Sequence, residues 1–451
     1  MTNPKLKFIN HASYILENNE TLLLHDPWLE NGAFNNGWSL LCKEHSNKDL
    51  IEYLKKTNKK VFIWISHEHS DHFSIPFFKE LKKSDLDTTI FFQKTIDKRV
   101  ISYLEAQNFE VIECMPEKEY LLDSNFSITI YPHLGGDSFC EVVINKKRIV
   151  NLNDCIVRSH QSALSLLNRL KSSKKIDILF TQFGYANWIG REQDIDLRKD
   201  SAKEKIQRIQ IQNEIFQPKA IIPFASFVFF CKKDNFYMNM EQNSPLDIRN
   251  YEGLKDTQTK INFMKPMQEI ELGDTFLIDL QRESNSAEDY WIRLLDLIKK
   301  DEYKFPLLKS SDFENILDYG QNFIAKVRKE TLFIVPLFEL LRLMNLRRLK
   351  IYIYDLDKSI SVSYLKGLQL LPFSKRYDFA LHSSELEFLF KNEFGWNTLF
   401  VSGSFKTPHS SINKIHSFFR WQDDIKNGFS FTNPIYTIRV TVNYFFNKIS
   451  G

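Results

Sequence analysis

From residue 4 to about 280 the chain alternates short apolar runs with polar turns. The runs "LKFIN", "SYILEN", "TLLLH", "VFIWIS", "TIFFQ", "FEVIE", "FSITIYP", "CEVVIN", "RIVNLN", "IDILFT" and "AIIPF" are rich in β-branched and aromatic side chains and end at turn residues, so they read as strands. Helical periodicity fills residues 46–57, 75–83, 97–107, 160–172 and 201–216. Hairpins come first and strand–helix alternations follow. That order predicts an α/β fold of αββα layers, two sheets face to face with helices outside.

After "RESNSAEDYW" (282–291) long helical patterns run to about residue 347, with "LLDLIKK" and "LFELLRLMNLRR" the clearest. Strands return at "KIYIYDL", "SISVSYL" and "DFALHS". A helix "SELEFLFKNEF", a strand "TLFVSGSF", a helix "SINKIHSFFR" and a last strand follow. The change of texture places a boundary near 285, giving a first unit of residues 1–285 and a C-terminal α+β accessory unit of residues 286–451. The length suits two domains better than one. The order of elements in the second unit faintly resembles sterol-carrier-type domains, and its expected role is dimerisation or cover for the active site.

Sixty basic and 57 acidic residues leave a net charge of +3, too balanced for nucleic-acid wrapping. The N-terminus lacks the apolar stretch of a secretion signal, and no apolar run reaches the ~18 residues of a spanning helix, so a cytoplasmic protein is expected. The five cysteines are scattered singly without a C-x-x-C pair. They read as reduced thiols and exclude a local zinc ribbon or a Rieske-type centre.

"SHEHSDHFS" (66–74) sets three of the eleven histidines and an aspartate within six residues, directly after the apolar run Val61 to Ile65. A loop at a strand's end is where a rigid sheet holds binding groups. Imidazole nitrogen and carboxylate oxygen suit zinc or iron, so His67 and His69 form one candidate pair and Asp71 and His72 another.

This H-x-H-x-D-H pattern resembles the defining motif of the metallo-β-lactamase superfamily. The resemblance implies one or two divalent metal ions, iron or zinc, held by His67, His69, Asp71, His72, His133 in "TIYPHLGGD" and Asp154 in "RIVNLNDC". It implies that Asp26 in "LLLHDPW" orients the motif loop, and that Asp71 and His72 take catalytic roles. The histidine many members carry after a late strand is absent, because "PKAIIPFASFVFF" has Phe224 there. A second metal would then have fewer protein ligands.

"DPWLENGAFNNGW" (26–38), "SHEHSDHFS", "NLNDC" and "PFASFVFF" together resemble the metallo-β-lactamase-type part of the CMP-N-acetylneuraminate hydroxylases, from His11 to roughly residue 245. Those hydroxylases also carry an amino-terminal Rieske domain, whereas this chain starts at the strands, so a separate electron-transfer protein is the expected partner of any oxygenase activity. "QFGYANWIG" (182–190) offers Tyr185, Asn187 and Trp188 to a base or sugar, with ordinary loop packing as the competing reading. "RKDSAKEKIQR" (198–208) offers Arg198 and Lys203, among other basic residues, to a phosphate near a helix start, with a solvated charged face as the competing reading. His11 in "NHAS" could reach the site or serve packing, and Cys155 reads as a small buried hydrophobe. Two enzymatic readings stand: an iron-dependent oxygenase acting on a nucleotide-activated or phosphorylated sugar, and a zinc or manganese hydrolase of a phosphoester or amide. A non-catalytic scaffold is the third, opposed by the near-complete ligand set.

Overall fold

The computed structural model describes residues 3–171, 174–255, 257–300, 303–372 and 376–426, and residue 438. Two seven-stranded sheets form the expected αββα sandwich. One runs, edge to edge, through Glu269–Glu271, Lys5–Asn10, Ser13–Glu17, Thr21–His25, Lys60–Ile65, Thr88–Gln93 and Glu110–Cys114. The other runs through Lys260–Ile261, Ala220–Phe224, Ile178–Gln182, Lys147–Asn151, Ser138–Ile144, Phe126–Pro132 and Glu119–Asp123. Each sheet joins an antiparallel hairpin region to a parallel region, the latter connected through helices.

The run "VFIWI" shows why such strands read as continuously apolar. Phe62 and Trp64 face the inter-sheet core with Leu16, Leu23, Ile128 and Val142. Val61, Ile63 and Ile65 face a second layer with Leu50, Leu54, Phe77, Phe78, Leu81 and Leu104 from the helices Asn47–Thr57, Ile75–Lys83 and Arg99–Ala106. Alternate side chains point to opposite faces and both faces are covered, so polar positions have no place on the strand. Burying each large side chain contributes about 1.5–3 kcal/mol. The sandwich therefore gives the loop after Ile65 a rigid base.

The helix Phe276–Lys299 passes through residue 285 and packs Leu280, Ala287, Trp291 and Leu295 into the inter-sheet core. The boundary expected there falls inside this helix. A separate core gathers the sheet Gly367–Leu371, Lys358–Ser363, Leu349–Ile353 and Phe379–Leu381 with the helices Phe313–Glu330, Ser383–Lys391, Gly395–Ser402 and Ile412–Lys426. Trp28, Phe34, Trp38, Tyr185, Trp188 and Phe230 from the first unit belong to the same core. The two units thus share apolar surface beside the motif loop.

"TLFVSGSF" was expected to be a strand and is a helix, Gly395–Ser402, ended by Gly403 at φ 66°. A short apolar run buried on every side carries no period to separate the two states. The helix expected over residues 201–216 begins earlier, at Ile195. The last expected strand lies outside the described residues. All five cysteines are free and buried. No helix among the described residues is long and apolar enough to cross a membrane.

Candidate metal centre

Four strand ends turn through left-handed residues as they meet. Lys5–Asn10 runs into His11 (φ 42°), Thr21–His25 into Asp26 (φ 38°), Lys147–Asn151 toward Asn153 (φ 49°) and Ala220–Phe224 into Ala225 (φ 50°). Hydrogen bonds tie these turns together: Asn153 Nδ2 donates to Asp26 Oδ2 at 2.7 Å, and the Ala225 N–H donates to the His11 carbonyl at 2.9 Å. Non-glycine residues in this region are held there at a cost of about 1–3 kcal/mol each, and such positions cluster at functional sites.

The motif turn lands among them. His72 and Phe73 donate their N–H groups to the His69 carbonyl at 3.0 and 2.7 Å, which wraps the segment into one turn. Asp26 organises it. Its carboxylate accepts from the Ser66 N–H at 2.8 Å, the Ser66 hydroxyl at 2.7 Å and His72 Nδ1 at 2.9 Å. Because the Ser66 hydroxyl proton goes to Asp26, Ser66 Oγ is left to accept from His67 Nδ1 at 2.9 Å. One buried carboxylate thereby sets the ring orientation of both His67 and His72 and leaves each Nε2 facing inward.

The inward nitrogens meet carboxylates. His67 Nε2 is 2.9 Å from His69 Nδ1, and His72 Nε2 is 3.4 Å from Asp71 Oδ2 and 3.5 Å from Asp154 Oδ2. His11 Nε2 stands 3.4 Å from Asp71 Oδ2. Within two overlapping groups, His67, His72 and Asp154 in one and His11, Asp71 and His72 in the other, the ligand-capable atoms lie within 4.8 Å of one another.

The residues present fit a metal ion. His72 Nε2, Asp71 Oδ1 and His11 Nδ1 are buried without a hydrogen-bond partner among the described residues, an arrangement costly unless something binds them. Two ring nitrogens bound to one ion at ~2.1 Å would sit about 3–3.5 Å apart, near the His67–His69 spacing. The electrostatics also call for a cation. Burial opposes a charged His72, yet Asp71, Asp154 and Asp26 together hold its pKa well above the ordinary histidine range. Burial likewise opposes ionised Asp154, and His72 beside it brings the pKa down to about 2.

His133 stands apart from these two groups. It lies on the turn before Leu134–Gly136, half-buried, and burial lowers its pKa while Asp137 opposes the shift. Its Nε2 is buried without a hydrogen-bond partner among the described residues, and Asp137, four residues on, places Oδ1 3.9 Å from His67 Nε2. Burial raises the Asp137 pKa against the pull of His69. The "GGD" turn was the available signal, since two glycines at φ 79° and 92° swing the aspartate back toward the motif.

The residues expected to meet substrate divide differently. Tyr185 and Trp188 are buried in the shared core, where the Trp188 ring stacks on Phe405 at 5.5 Å and the Trp188 backbone N–H donates to the Phe400 carbonyl. Arg198, 2% exposed, is consumed by Glu241 at 2.6 Å and by the carbonyls of Arg191 and Glu192. These three side chains are engaged in packing and internal pairing. Asn187 is half-buried on the same loop, and Lys203 is exposed. The lysine that approaches the centre is Lys205, whose Nζ donates to Gln182 Oε1 at 2.7 Å while Gln182 Nε2 donates to Asp154 at 3.2 Å. Burial, and then the charge of Arg208, lower its pKa to about 7.

A cavity of about 520 Å³ opens beside His69. Trp28, Phe34, Phe73, Tyr103 and Phe394 line its apolar walls, with Glu68, Asn35 and Arg99 among the polar groups. The stretch "DPWLENGAFNNGW" connects this wall to both units. Trp28 meets His11 edge to face at 5.4 Å, Phe34 lies 5.5 Å from His69, and Trp38 Nε1 donates to the Val401 carbonyl at 3.2 Å.

No family model matches the chain. It is similar to the cytidine monophosphate-N-acetylneuraminic acid hydroxylase of Danio rerio, 37% identical over 100 residues that cover 22% of this chain and 16% of the relative. The chain thus spans well under two thirds of that relative's length in the match. Among solved structures it is similar to CmlA, a diiron β-hydroxylase from Streptomyces venezuelae, with TM-score 0.41 and 13% identity over 60% of this chain and 55% of that one. It is also similar to Igni18, a metallo hydrolase from Ignicoccus hospitalis, with TM-score 0.40 and 13% identity over 60% of this chain and 99% of that one.

Proposed function

We propose that this chain is a metal-dependent enzyme that uses iron to hydroxylate a nucleotide-activated or otherwise phosphorylated sugar, with electrons from a separate donor protein. The observation that carries the reading is the donor set. Each ligand group is two imidazoles and one carboxylate without a thiolate, the set typical of non-haem iron oxygenases. The partial similarity to a sugar-nucleotide hydroxylase supports the reaction and substrate class.

In this reading His67, His69, Asp71, His72 and Asp154 hold the metal. Bound iron supplies the redox chemistry with dioxygen that side chains lack. The protein's part is orientation. Asp26 and Ser66 fix the His67 and His72 rings, and Asp71 Oδ2 lies between His11 and His72, where the carboxylate orients both imidazoles. The cavity beside His69 takes the substrate. Its aromatic walls stack a base or the apolar face of a sugar, and Arg99, paired with Asp97 and Glu68, lines the same cavity.

The test is metal analysis of anaerobically purified protein, followed by oxygen uptake with a chemical reductant and a panel of nucleotide-linked and phosphorylated sugars. Iron content with uptake matched by a product one oxygen heavier is the expected result. Zinc alone, no uptake with any reductant, and release of phosphate or alcohol from phosphoesters would replace this reading with a hydrolase.

A further inference from the structure

We infer that His11 is a ligand of a second metal ion and takes the place of the histidine missing after the late strand. The inference rests on the metal reading above. It starts from Phe224, which ends the strand Ala220–Phe224 where a ligand is lacking. Its ring is fully buried and packs against Phe180 at 5.1 Å and Tyr14 at 6.1 Å, so that position serves the core and offers no donor.

The next residue brings a substitute. Ala225 donates its N–H to the His11 carbonyl at 2.9 Å, so the end of the late strand is pinned to the turn after the first strand. His11 then projects its ring to the same side as the motif. Its Nε2 is 3.4 Å from Asp71 Oδ2, and its ring centre is 5.8 Å from that of His72. The ligand-capable atoms of His11, Asp71 and His72 lie within 4.8 Å of one another, all three residues buried.

His11 opens the two-residue turn of the hairpin Lys5–Asn10/Ser13–Glu17, and its φ of 42° is the left-handed conformation such a turn uses. Its N–H donates to Asn10 Oδ1 at 3.0 Å, and Asn10 Nδ2 donates to the Cys42 carbonyl at 3.0 Å. Trp28 closes one side of the ring. His67 and Asp154 remain for the first ion, with His69 Nδ1 2.9 Å from His67 Nε2, and His72 stands between the two groups.

The experiment uses the full chain, stripped with a chelator and titrated anaerobically with Co(II), whose binding is read by visible absorption and by equilibrium dialysis. About two equivalents are expected for the natural protein, given that three such ligands make a competent site. His11→Asn keeps a side chain suited to the left-handed turn while removing the imidazole. It should leave the first equivalent intact and weaken the second by at least about 100-fold, beyond the usual effect of an outer-shell change. His11→Asp, which restores an anionic ligand in the same turn, should recover the second equivalent. Retention of both equivalents at natural affinity in His11→Asn overturns the inference, as does uptake of only one by the natural protein. Failure of the natural protein to take up any Co(II) overturns the metal reading as well, which separates the two.

Discussion

His72 donates from Nδ1 to Asp26 Oδ2 at 2.9 Å, and both side chains are wholly inaccessible to solvent. The carboxylate that makes this bond also accepts from Ser66 and Asn153. A residue outside the motif therefore aims the motif's last histidine, and through Ser66 its first.

Asp26→Asn should uncouple this arrangement. The amide cannot accept from four donors at once, and a buried group left unpaired costs about 3 kcal/mol. Urea denaturation should show that loss. Metal affinity should fall about 10–100-fold, as expected when an orienting partner is removed, and equilibrium dialysis would measure it.

Phe224→His should fail to create a metal ligand. The ring space faces Phe180 and Tyr14, so a polar imidazole there should cost about 2–4 kcal/mol. Metal stoichiometry should not rise. An added equivalent of bound metal would show that the late strand can still serve the centre.

His25 should make the fold acid-sensitive. It stacks on Tyr14 at 4.0 Å and meets Trp64 edge to face, and burial lowers its pKa from 6.5 to about 3. Below pH 6.5 the unfolded chain takes up a proton that the folded chain refuses. The stabilising contribution is thus full above that pH and declines as pH falls toward 3, by up to about 1.4 kcal/mol per unit. His25→Phe should flatten the slope of unfolding free energy against pH in that window.

Gly37→Ala should loosen the C-terminal unit from the first. A Cβ at Gly37 would lie 2.4 Å from Ser402 Cβ and 3.0 Å from the Phe34 carbonyl. Relief requires the helix Gly395–Ser402 to shift, at about 1–3 kcal/mol. A lower melting temperature with faster proteolysis between residues 303 and 312 is the expected outcome.

The strands of the sandwich were legible because their chemistry is local. "VFIWIS" and "IDILFT" are apolar on both faces and stop at polar turns, and that composition leaves few alternatives to a covered strand. "TLFVSGSF" is equally apolar but became a helix, since its burial on all sides erased the alternation that would distinguish the two. The spacing of His67, His69, Asp71 and His72 within one turn made them readable as candidate ligands without any knowledge of their neighbours.

Residues brought in from other strands were only partly readable. Asp154 stands beside His72, whereas Asp137 was not singled out, because a turn with two left-handed glycines reverses the chain between it and His133. Tyr185, Trp188 and Arg198 had the right chemistry for a substrate pocket, yet the C-terminal unit packs against the first two and Glu241 neutralises the third. By itself the sequence determined the layered α/β architecture and the motif, both products of short-range pattern. The orienting role of Asp26 was expected from the resemblance, but only the tertiary structure decided that it steers His67 and His72 in particular and that His11 faces Asp71. Those contacts join residues 60 and 46 positions apart, and no local pattern encodes which strand ends will meet.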